Sequence, residues 1–233
     1  MINNTCTNCN INYVLSRIRD ILNGNFKKPN DKQIHDYLIA AHNLFLTWAP
    51  RFQNNNINNS PQNQLQNILS DFILEANNGS WNNMQRTGMA VAQNPALRNL
   101  LQTLINYRIN NGIPDINDVT ARLNRLCAHI PGHVSGMSVF LATAILFARD
   151  DKNFMVIDKP VRDCFALGDD IMNQLNNYAN VIHQSQTLAQ KFGLDLWYVN
   201  KAYGICQHNM SIKIWHLGHK FPAFGNSHEI SLY

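Results

Sequence analysis

The chain is short of charge. Only 15% of its 233 residues are Asp, Glu, Lys or Arg, against roughly a quarter in ordinary soluble domains, and asparagine and glutamine fill the gap. A formal net charge of +4 and a pI near 8.8 admit an anionic partner without requiring one. No apolar run approaches the roughly 18 residues of a membrane span, so no membrane partner is expected. The opening MINNTCTNCNINY lacks the basic and apolar regions of a secretory signal, and a cytoplasmic chain is expected. Phosphate-loop, GxSxG, dinucleotide-fingerprint and HExxH patterns are all missing, which leaves no cofactor to expect. Strand signals are nearly absent before Phe154, and there is no repeat or heptad run.

Cysteine is sparse as well. The 5 cysteines are an odd, scattered set that gives no disulfide framework and agrees with a reducing compartment. Cys6 and Cys9 form a CxxC, half of a zinc site, whose other half would come from Cys206 and His208 or from His216 and His219. With no second CxxC, no metal is assigned. Cys127 falls on an apolar helix face and reads as core rather than nucleophile. His129 and His133 are four apart, but Pro131 breaks the helix that would align them.

What is present is helix. A hydrophobic share of 45% over 233 residues supports a sizeable core, as one domain or two small subdomains. Apolar residues recur at helical spacing in Val14, Ile18 and Ile21; in Ile34, Leu38, Ala41, Phe45 and Trp48; in Leu65, Ile68, Leu69, Phe72 and Ile73; and from Leu97 to Ile109. QNNNINNSPQN reads as an exposed loop before a helix capped by Ser60, with Pro61 at its first position. Asp169 and Asp170 read as caps of one helix running to Lys191, because acidic residues suit a helix N-terminus. LDLWYVNKAYGI forms a last helix, and alternation over residues 210–215 marks a short strand. Trp48, Trp81, Trp197 and Trp215 are candidates to stack on a base.

The informative stretch is LCAHIPGHVSGMSVFLATAILFARDDKNFMVIDKPV, residues 126–161. Val119, Leu123, Leu126 and Ile130 share one helical face, and Met137, Phe140, Leu141, Ala144, Ile145 and Ala148 share another. Pro131 and Gly132 stop the first helix, and the turn spans Gly132, His133, Val134, Ser135 and Gly136. Amides of such a turn and of the next helix's first turn can hold a phosphate oxygen. FMVI buries, Asp158 ends the run at a helix N-terminus, and Pro160 suits the new helix's first position with Lys159 extended before it.

These residues resemble the helix-hairpin-helix DNA glycosylases, in which a hairpin of the form LPGVGxKTA is followed by an aspartate in a VDxHV-like segment. Pro131 and Gly132 match the first pair, Ser138 the small residue, and Asp158 the catalytic aspartate. Val134 stands where a second hairpin glycine is usual, and Pro160 where a histidine is. Gly136 replaces the nucleophilic lysine of lyase-active members, so the resemblance implies a monofunctional enzyme. It also implies an all-α fold of two helical subdomains with a cleft between them: residues 1–112, a hairpin subdomain 113–193, and a C-terminal helix and tail, 194–233. Asp158 would serve catalysis, and residues 132–136 with Lys159 and Arg162 would grip double-stranded DNA. A non-catalytic DNA-binding or protein-interaction module on the same scaffold stays open beside that reading. Whether the chain is an enzyme, which base it takes and its oligomeric state are not legible in the sequence.

Overall fold

A computed structural model describes residues 9–79, 84–127, 137–207, 211–214 and 228–231. Helices follow in the order α1 (Ile11–Leu22), α2 (Asp31–Leu46), α3 (Asn54–Asn59), α4 (Gln62–Gly79), α5 (Met84–Ala92), α6 (Leu97–Ile105), α7 (Ile116–Cys127), α8 (Val139–Arg149), α9 (Lys159–Cys164), α10 (Ile171–Asn176), α11 (Tyr178–Phe192) and α12 (Leu196–Gln207). A 3-10 turn covers Ala49–Phe52. Two short antiparallel pairs complete the described chain: β1 (Ile109–Asn110) with β2 (Ile113–Pro114), and β3 (Ser211–Ile214) with β4 (His228–Ser231). The fold is all-α with these small strand pairs attached, and β3 is the strand expected from the alternation near residue 212.

Two helices lack a solvent face and therefore lie at the centre. In α8, Val139 and every residue from Leu141 to Ala148 are buried. The α12 helix buries Leu196 through Asn200 and then Ala202, Tyr203, Ile205 and Cys206. Around α8 pack α5, α6, α7, α10 and the 3-10 turn; around α12 pack α1, α9 and α11. The outer helices are amphipathic and bury the apolar stripes read from their spacing, as in Val14, Leu15, Ile18 and Ile21 of α1. An aromatic group of Trp48, Phe52 and Phe72 fills the space between the 3-10 turn and α4, with Phe72 ring centroids 5.2 Å from both others. Such edge contacts add to area burial by roughly 0.5–1.5 kcal/mol each.

One buried ion pair ties α1 to the start of α2. Arg17 Nη2 donates to Asp31 Oδ1 at 2.7 Å, and the amides of Lys27 and Lys28 donate to Asp31 Oδ2. Burial works to raise the Asp31 carboxyl, but these donors hold it below its ordinary value. The pair fixes the α1–α2 turn.

Several local expectations change. The asparagine-rich loop contains a helix, α3, because Ile57 is buried and Arg98 of α6 supplies what the short segment lacks. Its guanidinium donates to the carbonyls of Ile57, Asn58 and Ser60 at 2.7, 2.7 and 2.5 Å, which satisfies acceptors left over at a helix C-terminus. The helix expected to continue to Ile109 ends at Ile105, and Ile109 instead opens the β1–β2 hairpin. Asn111 and Gly112 both have positive φ, 51° and 81°, as a two-residue hairpin turn with right-handed strand twist demands. The single helix expected over 171–191 is broken at Asn177, whose side chain donates to the Asn173 carbonyl at 2.8 Å.

The cysteines also depart from expectation. Cys9 and Cys206, 197 positions apart, form a disulfide with Cα atoms 5.3 Å apart. Cys164 is in a disulfide as well. Folding brings together sulfurs that look scattered along the chain.

Candidate active site around Asp158

The segment leading to Asp158 is buried without being a strand. Phe154, Met155, Val156 and Ile157 are essentially inaccessible, so their backbone groups need partners other than water. Side chains meet two of those needs: the Ile157 amide donates to Thr143 Oγ1 at 3.0 Å, and the Tyr178 hydroxyl donates to the Met155 carbonyl at 3.0 Å. A turn at Asp150 launches the segment, its carboxylate accepting from the Lys152 amide and the Asn153 side chain. Phe154 packs edge-on against Tyr107, and Arg149 lies over the other's ring at 5.0 Å while donating to the Ile105 carbonyl. The approach to Asp158 is thereby tied to both α6 and α8.

Asp158 is the N-cap of α9. Its backbone is extended, with φ −89° and ψ 179°, and its Oδ1 accepts from the Val161 amide at 3.1 Å. Lys159 is the first helical residue and Pro160 the second, one position later than expected; proline is tolerated there because first-turn amides have no intrahelical acceptor. The carboxylate is only 7% exposed, and its charge acts on Lys201 of α12.

Lys201 is half-buried, with its ammonium 4.9 Å from the Trp197 ring centroid. Burial pulls its pKa down to about 8, against the opposing pull of Asp158. Trp197 also stacks on His42 of α2, with centroids 5.0 Å apart, and His42 meets Tyr198 edge-on at 4.9 Å. The His42 ring lies 3.1 Å, Nε2 to Oδ2, from buried Asp151. Burial first, then Asp195 and Asp151, push the Tyr198 hydroxyl up to about 12. Asp151, His42, Trp197 and Lys201 thus follow one another in contact, and the charge of Asp158 acts on the last of them.

No protein-family model matches the chain, and it finds no match among the curated proteins or the solved structures.

Of the residues expected to act on DNA, Gly132, His133, Val134, Ser135 and Gly136 lie outside the described residues, as do Pro131, His129 and Ile130. Ser138 caps α8, accepting from the Leu141 amide at 3.1 Å. Lys159 is exposed and pairs with Asp163 at 2.6 Å, and Arg162 pairs with Asp169. Asp170 accepts from the Met172 amide as the cap of α10, in keeping with its reading as a cap. Cys127 is a buried thiol that burial pushes up to about 12, the behaviour of a core residue. Trp48 is in the core, donating to Glu75, while Trp81 and Trp215 lie outside the described residues. His42, Asp151 and Lys201 were not singled out from the sequence. The one local signal among them is the i, i+4 spacing of Trp197 and Lys201, which puts both on one face of a helix; His42 and Asp151 are 109 positions apart and carry none.

Proposed function

We propose that this chain is a DNA glycosylase-like protein that hydrolyses the N-glycosidic bond of a damaged or mismatched base in double-stranded DNA. The observation that carries the reading is the position of Asp158: a fixed carboxylate at the start of α9, beside the Lys201 ammonium, at the end of a buried extended segment. An ionised carboxylate stabilises the oxocarbenium-like sugar as the bond to the base breaks, and it orients the attacking water. The chemistry is monofunctional, with water as the nucleophile and no cofactor.

The finer architecture belongs to the same proposal: residues 132–136 form the turn of a helix-hairpin-helix, and two helical subdomains flank the cleft into which the base is extruded. Residues 132–136 grip the backbone, with Lys159 and Arg162 nearby. Their present partners do not oppose this, since an exposed ion pair contributes only about 0–1 kcal/mol and exchanges readily for a phosphate. A cytoplasmic location accords with this role.

A second reading, a non-catalytic DNA-binding or protein-interaction module on the same scaffold, is favoured by the capping bond that Asp158 makes to its own helix. Duplexes carrying uracil, alkylated purines or 8-oxoguanine separate the two. Base release that Asp158→Asn abolishes supports the enzyme. Binding without release on every lesion supports the module, and neither binding nor release removes both.

A further inference from the structure

Helix α12 is buried except along one narrow strip. Lys201, Gly204 and Gln207 are its half-buried residues, and their spacing puts them on one helical face. The strip lies along α9. At one end the charge of Asp158 acts on Lys201, and at the other Gln207 donates to Asp163 at 2.7 Å. Midway, a Cβ at Gly204 would meet no atom within 4 Å among the described residues, so the strip is hollow there. Asn200 stands one helical turn before Gly204 and two before Gln207, which sets it on the same face. Yet Asn200 is only 4% exposed, and its Nδ2 has no hydrogen-bond partner among the described residues.

A buried carboxamide donor without an acceptor destabilises the fold, and a leucine of similar size would not. Asn200 therefore works against stability unless a bound molecule supplies the acceptor. Lys201 adds a charged donor to the same strip, its ammonium 4.9 Å from the Trp197 ring centroid. Two donors bordering one hollow, one of them cationic, suit an oxygen on which negative charge develops.

We infer, resting on the glycosylase reading above, that Asn200 Nδ2 donates to a carbonyl oxygen of the departing base. With Lys201 it selects neutral bases whose carbonyl adjoins the glycosidic nitrogen, the class to which uracil and 8-oxoguanine belong. As the C1′–N bond breaks, its electron pair passes into the base and onto that oxygen. The water that adds at C1′ gives its proton to Asp158 and, through solvent, to the base, so that substrate and water become free base and abasic sugar. An alkylated purine such as 7-methylguanine is already cationic, leaves as a neutral molecule and has no carbonyl beside its glycosidic nitrogen. The Lys201 charge opposes its binding.

The test is single-turnover base release by the full chain at pH 7, where the Lys201 ammonium is charged, from duplexes carrying uracil, 8-oxoguanine or 7-methylguanine. Measured as acceleration over the uncatalysed rate, wild type is expected to favour uracil or 8-oxoguanine over 7-methylguanine by more than about 10-fold. Asn200→Leu is expected to slow release of the carbonyl base by about 100-fold, the scale for removing one donor to a developing oxyanion. Its melting temperature is expected to be unchanged or higher, because the unpaired donor is gone. Lys201→Met is expected to shrink the preference over 7-methylguanine. A wild-type preference for 7-methylguanine overturns the inference without any variant having to fold. So does Asn200→Leu that works at the wild-type rate or slows only in step with a loss of thermal stability, and so does a preference that Lys201→Met leaves unchanged. Wild type that releases none of the three bases removes the glycosylase reading itself, and this inference with it.

Discussion

His42 and Asp151 meet at 3.1 Å across 109 positions of sequence, both buried, where α2 passes the turn that launches the segment to Asp158. Through Trp197 this pair adjoins Lys201, and through Lys201 the carboxylate of Asp158. The pair therefore bears on the site's placement as well as on stability.

Asp151→Asn is expected to preserve the shape while weakening the bond, and Asp151→Ala to cost about 1–3 kcal/mol, the penalty of leaving a buried partner unsatisfied. A double-mutant cycle with His42→Ala in urea denaturation measures the coupling. A coupling near zero would show that the contact contributes nothing.

Lys201 gives a pH dependence with a definite sign. Its ordinary pKa of 10.5 falls to about 8 in the folded chain. Between those values the unfolded chain binds a proton that the folded chain does not, so this residue's contribution to stability rises with pH across the window and is lowest below about 8. Wild type is expected to gain stability relative to Lys201→Met as the pH is raised from 7 to 10.5. A difference that stays constant over that range would contradict the burial of the ammonium.

Arg98 is expected to be what holds α3 together. Arg98→Ala removes donors from three carbonyls and is expected to cost about 1.5–3 kcal/mol, the range for hydrogen bonds from a charged group. Amide exchange over residues 54–60 is expected to accelerate more than exchange in α8. Unchanged exchange there would mean that buried Ile57 suffices alone.

Cys127 is expected to resist thiol-modifying reagents until the chain unfolds, because its thiol is buried and its pKa is raised to about 12. Modification of native protein at the rate of a free thiol would contradict that placement.

The parts legible in the sequence are those whose cause is local. The stripes of α1, α2, α4 and α7 follow from spacing alone, and the cap at Asp158 follows from an apolar run, a carboxylate and a nearby proline. The Asn111–Gly112 turn was legible too, since its residue types demand positive φ, but the apolar periodicity running to Ile109 masked it; Ile109 and Ile113 are in fact 58% and 62% exposed. What could not be read depends on distant partners. Helix α3 needs an arginine about 40 positions away, the His42–Asp151 pair spans 109, and Cys9 meets Cys206 across 197.

Single-turnover base release by wild type and by Asp158→Asn, on the lesion that wild type processes fastest, tests the central claim most directly. Loss of the cap's charge is expected to cost at most about 2 kcal/mol of stability, so the variant stays folded, which its melting curve checks. The account expects the release rate to fall by about 100-fold or more, the scale of a positioned carboxylate's contribution to proton transfer and water activation. Equal rates in the two proteins would show that Asp158 only caps its helix.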